Sequence, residues 1–124
     1  MHKLIIKGRL KSLNEYISAI NKSAMTGNSL KRDQQAIVYG YILECLGRLK
    51  IDKKVWIDYH WYEQTKMRDK DNISAFGRKV IQDALVMTRT LRDDGWACIE
   101  GFSDRFYIDK ENPRIEVIIT ELGD

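Results

Sequence analysis

The chain has 124 residues, 44% of them hydrophobic and 31% charged, with a formal net charge of +3. That length suits one domain with a real core, residues 1–124, and the single proline and lack of low-complexity tracts argue against a linker or a second domain. Two cysteines without metal or redox spacing, only two histidines, no apolar run of membrane-spanning length and no signal-peptide core speak against zinc, membrane and secreted classes, and imply a reduced, cytoplasmic protein.

In chain order, residues 3–10 read as a first strand. Ser12-Leu13-Asn14-Glu15 matches a capping box, so a short helix is expected from Leu13 through Tyr16, Ile17 and Ile20. Residues 23–29 carry turn-forming side chains and read as a polar loop. A long helix follows over about 30–49, its buried face drawn from Ile37, Tyr41, Cys45 and Leu49, with Leu30, Val38, Ile42 and Leu46 beside them. Residues 54–64 alternate as a strand, with Val55, Ile57, Tyr59 and Trp61 on one face and Trp56, Asp58, His60 and Tyr62 on the other. A second long helix is expected over about 73–91 from the spacing of Ile73, Phe76, Val80, Ala84, Met87 and Leu91. Short strands are expected at 96–100, 105–109 and 114–121, with Ile115, Val117 and Ile119 lining one face of the last. This order predicts an α+β, or mixed α/β, domain: a small mixed sheet with flanking helices.

The net charge conceals an asymmetry. Residues 1–54 hold eleven Lys/Arg against four Asp/Glu, whereas residues 55–124 hold ten against fourteen. A basic first half suits a grip on a polyanion, and an acidic second half suits a cation, although a solvated surface accounts for the split equally simply. The acidic residues are patterned. Asp69 and Asp71 stand at i, i+2 within Arg68-Asp69-Lys70-Asp71-Asn72, and Asp93-Asp94 follow the expected helix. In extended backbone, i and i+2 face one side, and the helix is expected to return the second pair toward the first. An all-oxygen cluster of this kind suits Mg²⁺, which binds through few carboxylates and keeps waters and phosphate oxygens in its shell. The competing explanations are a helix cap at Asp71 or Asn72 and a simple turn at Asp93-Asp94-Gly95. Arg78 and Lys79 on the helix are either a solvated face or cations poised near a phosphate. His60 and the aromatics around it read as sheet packing. There is no P-loop, dinucleotide-binding or zinc motif, and neither histidine lies in a nucleophile motif.

Asp69-x-Asp71-Asn72, Lys79, Asp83-Ala84-Leu85, Asp93-Asp94 and the terminal Ile118-Ile119-Thr120-Glu121 together resemble the RusA-like Holliday junction resolvases, in particular their phage and prophage branch. Arg68–Glu121 carries most of the likeness, and Ser12–Tyr16 adds a weaker match. The resemblance implies a homodimeric, Mg²⁺-dependent endodeoxyribonuclease, with Mn²⁺ as a substitute, that makes paired cuts in four-way DNA junctions during recombination and repair. It implies Asp69, Asp71 and Asp94 as metal ligands, with Asp93 as the alternative to Asp94. The family's helix lysine departs from its usual place: that position holds Ala75, and Lys79 lies about one turn, roughly 6 Å, further on. Lys79 is the expected catalytic cation and Arg78 the alternative. Lys7, Arg9, Lys11, Lys31, Arg32, Arg68, Lys70 and Arg78 are the expected DNA-binding residues. The rival functions are a catalytically silent phage DNA-binding or architectural protein on the same scaffold, an Mg²⁺-dependent nucleotide phosphohydrolase, and an interaction module with a capped helix.

Overall fold

A computed structural model describes residues 1–123 of the chain. Seven elements follow in order: β1 (His2–Lys7), α1 (Leu13–Lys22), α2 (Ala24–Leu46), β2 (Val55–Glu63), α3 (Lys70–Met87), β3 (Ile99–Ile108) and β4 (Arg114–Glu121). The strands form one mixed sheet in the order β1-β4-β2-β3. β4 pairs antiparallel with both β1 and β2, while β2 and β3 are parallel and joined through α3. This is the α+β architecture that the pattern of the sequence predicts.

One face of the sheet is covered by the helices. Leu4 and Ile6 of β1, Val55, Ile57, Tyr59 and Trp61 of β2, and Ile115, Val117 and Ile119 of β4 are all buried, and they meet Val38 and Ile42 of α2 and Ile73, Phe76, Val80, Ile81, Ala84 and Leu85 of α3. The alternation in β2 and β4 thus gives each strand one core face, as the period of two requires. Tyr16 of α1 stacks on Phe76 of α3 with ring centroids 4.3 Å apart. Gly77 permits a close helix–sheet approach: a Cβ there would stand 3.0 Å from two ring atoms of Trp61. Burial holds the Tyr59 hydroxyl protonated far above its ordinary range, and Gln82 donates to it.

Four expectations about the elements are corrected. Residues 23–29 belong largely to α2, because Ser23 accepts from the Thr26 amide as an N-cap and buried Gly27 lets the first turn close against Ile20. The buried stripe of α2 runs through Gln34, Val38 and Ile42, so Ile37 and Cys45 are exposed. The helix begun at the acidic motif ends at Met87, where the Thr88 hydroxyl donates back to the Ala84 and Leu85 carbonyls and Arg89 takes φ 61°. The two short strands at 96–100 and 105–109 are one continuous strand, β3 (Ile99–Ile108), which pairs with β2 along its length with a register shift beside Val55 and Trp56. The capping box is present in full: the Ser12 side chain accepts from Glu15 N–H, and the Glu15 carboxylate accepts from Ser12 N–H.

Candidate active site

The parallel strands β2 and β3 end on the same edge of the sheet, and α3 begins there. Ligand sites in sheets of this kind favour the carboxyl ends of parallel strands. A groove of about 750 Å³ lies at this edge, lined by Glu63, Thr65, Lys66, Arg68, Asp69, Lys70, Asp71, Ile73, Phe106, Tyr107 and Ile108. It contains both acids of the Asp69-x-Asp71 motif.

The local backbone explains how they get there. Asp69 is the N-cap of α3 in extended conformation (φ −65°, ψ 152°), and Asp71 lies in the first turn. The two acids therefore straddle the start of a helix and do not share one extended segment. Asp69 occupies the residue position where an acid normally accepts a hydrogen bond from the turn above it, yet its side chain makes no such bond. Asn72 is occupied differently: its Oδ1 accepts from the Asn14 amide at 2.8 Å, which ties the start of α1 to the start of α3. Among the described residues no ion pair reaches Asp69 or Asp71, although the neighbouring Arg68 is paired with Glu63.

Arg68, expected to contact DNA, is engaged within the chain. Its Nε and Nη2 donate to the two oxygens of Glu63 at 2.9 and 2.8 Å, and its Nη1 donates to the Leu10 carbonyl at 3.0 Å. All three bonds are donated by one side chain, that of the residue just before Asp69. They join the end of β2 to the loop after β1, and so set the direction in which the chain enters α3. The same contact brings the Arg9-Leu10-Lys11 loop next to the acidic motif. Lys7, Arg9, Lys11, Arg32 and Lys70 are exposed; Lys11 pairs with Glu15, and the Lys70 ammonium lies 5.8 Å over the Phe106 ring. Lys31 is engaged with Asp83 at 3.5 Å. Arg78 is committed to β3, paired with Asp104 and stacked 4.6 Å from the centre of Phe102.

Asp94 lies elsewhere. Its carboxylate meets Lys79 at 3.1 Å, and Lys79 also pairs with Asp83 at 2.9 Å, one turn further along α3. Hydrogen bonds first to Asp83 and then to Asp94 raise the Lys79 pKa and keep it charged. The lysine side chain therefore points toward the C-terminal half of α3, not back toward Asp71. α3 is an uninterrupted helix of 18 residues, about 27 Å long, and Asp71 and Asp83 are separated by roughly 18 Å along its axis. The expected return of the second acidic pair to the first does not occur within one chain. Asp93 is used locally, accepting from the Gly95 amide at 2.6 Å. Among the described residues no three His, Cys, Asp or Glu side chains form a group able to hold a metal ion.

Sequence reasoning missed Thr65, Lys66, Phe106, Tyr107 and Ile108 as lining residues. Dividing β3 into two short strands hid its end from the groove, and Lys66 lies in a connection with no periodicity to read. No helix among the described residues is long and apolar enough to cross a membrane. No protein-family model matches this chain, and no curated protein matches it.

Proposed function

We propose that the protein is a Mg²⁺-dependent, structure-selective DNA endonuclease that resolves four-way junctions in the bacterial cytoplasm. The observation that carries this reading is the Asp69/Asp71 couple, without an ion-pair partner among the described residues, lining a groove that also holds Lys66 and Lys70. Two hard carboxylates without ion-pair partners among the described residues match the chemistry of a Mg²⁺ site, which takes one or two carboxylates and completes its shell with water and substrate phosphate. When bound there, the ion supplies Lewis-acid activation of water and charge neutralisation at the phosphodiester. The chain's own residues do the rest. Asp69 and Asp71 hold the ion. Lys66 and Lys70 offset phosphate charge beside it. Lys7, Arg9 and Lys11, brought alongside by the Arg68–Leu10 contact, track the DNA backbone.

A homodimer belongs to this reading for a geometric reason. Asp94 is at the far end of α3 from the groove, so a third acid from this motif reaches Asp69 and Asp71 only from a second copy of the chain. Two-fold packing would then complete two equivalent sites, as paired cutting requires. Lys79, bonded to Asp94, is on this account a positioning residue that orients the incoming carboxylate.

A second reading is a catalytically silent DNA-binding protein on the same scaffold. Neutralisation of Asp94 by Lys79 within the chain favours it. Digestion of labelled four-way junction, flap, fork and duplex DNA, with and without Mg²⁺, separates the two: the silent protein binds and never cuts.

A further inference from the structure

The groove is larger and more apolar than a phosphate and a metal ion need. Its acids and lysines occupy the side formed by the β2–α3 connection and the first turn of α3. The groove is also walled by Phe106 and Ile108, which share one face at the end of β3, and by Ile73, whereas the Tyr107 side chain turns to the other face of the sheet. Ile108 is 50% exposed, so this wall presents open apolar surface and not merely the edge of the core. Phe106 packs against the core from its partly buried position and has the Lys70 ammonium 5.8 Å from its ring centre. A wall of fixed aromatic and aliphatic side chains, facing two cations across a few hundred Å³, is complementary to a flat apolar group attached to phosphates on both sides.

We infer that the groove takes an unstacked nucleobase from a nucleotide next to the scissile phosphate, with Phe106 and Ile108 receiving the base while Lys66 and Lys70 hold the adjoining phosphates. This inference rests on the nuclease reading and adds to it the source of structure selectivity. Extruding a base from intact duplex breaks its pairing and stacking, and the cost is lowest where these are already interrupted. The branch point of a junction is such a place. Continuous duplex would have to be disrupted before its backbone could settle beside Asp69 and Asp71, whereas a branched strand enters with little disruption.

The test is a cycle between the DNA and the groove. Junctions carrying an abasic site at each nucleotide flanking the cut are compared with intact junctions in single-turnover cleavage with Mg²⁺, using the wild-type chain, Ile108→Glu and Phe106→Leu. Ile108→Glu charges the wall at an exposed position; Phe106→Leu keeps apolar bulk but removes the ring, and decides the matter if the first variant fails to fold. Stacking of one base on an aromatic wall corresponds to a change on the order of tenfold or more. One abasic position is expected to slow wild-type cleavage by that factor, and to have little further effect in either variant. Cleavage of the intact junction that no flanking abasic site slows would overturn the inference while leaving the nuclease reading intact. So would an abasic effect that persists undiminished in a folded variant. A junction that is neither bound nor cut removes both.

Discussion

Arg68→Ala distinguishes a structural arginine from a DNA contact, and the structure sets the size of the effect. The Arg68 and Glu63 side chains are only 12% and 7% exposed. Alanine removes both charge-assisted bonds to Glu63 and the bond to Leu10, leaving a carboxylate buried with no cation. Breaking a buried pair from one side costs about 3–5 kcal/mol. For a domain of this size each kcal/mol moves the Tm by about 3–5 °C, so a loss of roughly 10–20 °C is expected in thermal unfolding followed by circular dichroism. The double variant Glu63→Gln/Arg68→Met should recover much of it, because removing both charges together avoids the uncompensated carboxylate. Junction affinity, measured by anisotropy well below the melting transition, should keep its wild-type dependence on salt. A phosphate contact would behave in the opposite way. Its loss would leave stability within about 0.5 kcal/mol and lower the logarithmic salt slope by about one. An unchanged Tm together with a reduced slope would refute the role assigned to Arg68.

Three other predictions follow from the same geometry. Asp69→Asn, Asp71→Asn and Asp94→Asn should each abolish cleavage while junction binding survives, and mixing Asp71→Asn with Asp94→Asn chains should restore nicking, since one of the two shared sites in a mixed dimer is then intact; absence of restoration in verified mixed dimers would place all three acids in one chain or remove Asp94 from the site. Lys79→Ala should raise the Mg²⁺ concentration needed for half-maximal cleavage without changing junction affinity, because its partner Asp94 loses its orientation; an unaltered Mg²⁺ dependence would make Lys79 a surface residue only. The hydrogen bond from Lys3, and then that from Arg114, lowers the Glu116 pKa, so this carboxylate contributes stability above its unfolded value of about 4.3 that is lost as pH falls through its lower folded value. Glu116→Gln should therefore flatten the acid limb of the stability–pH profile below about pH 4.3, and an unchanged limb would show that the pairs are screened by solvent.

The parts of this protein written in local patterns could be read from its residues. Alternation in Val55–Glu63 and Arg114–Glu121 identified the two central strands and their buried faces, since a half-covered sheet imposes a period of two. The Ser12/Glu15 capping box located the start of α1 near Leu13. Ser23–Ser29 misled because Ser, Thr, Gly and Asn favour turns and helix starts alike, and here Ser23 begins a helix. β3 was split because Gly101, Ser103 and Asp104 interrupt its hydrophobicity, while its pairing with β2, from Trp56 onward, is set by a partner distant in sequence. In the candidate site, the Asp69/Asp71 pair and its groove-side cation Lys70 were legible from spacing and charge. The directions of Arg68, Arg78 and Lys79 were not, because each is fixed by a partner brought in by tertiary packing: Glu63 and Leu10, Asp104, and Asp83 with Asp94.

The central claim is that Asp69 and Asp71 serve Mg²⁺-dependent cleavage of branched DNA. It is tested most directly by incubating the purified chain, and separately its Asp71→Asn variant, with end-labelled four-way junction and matching linear duplex across a Mg²⁺ titration. The account predicts paired, symmetric cuts near the branch point by the wild-type chain, dependent on Mg²⁺, with duplex left whole and the variant binding without cutting. Junction that stays intact at every Mg²⁺ concentration, or that Asp71→Asn cuts at the wild-type rate, would contradict it.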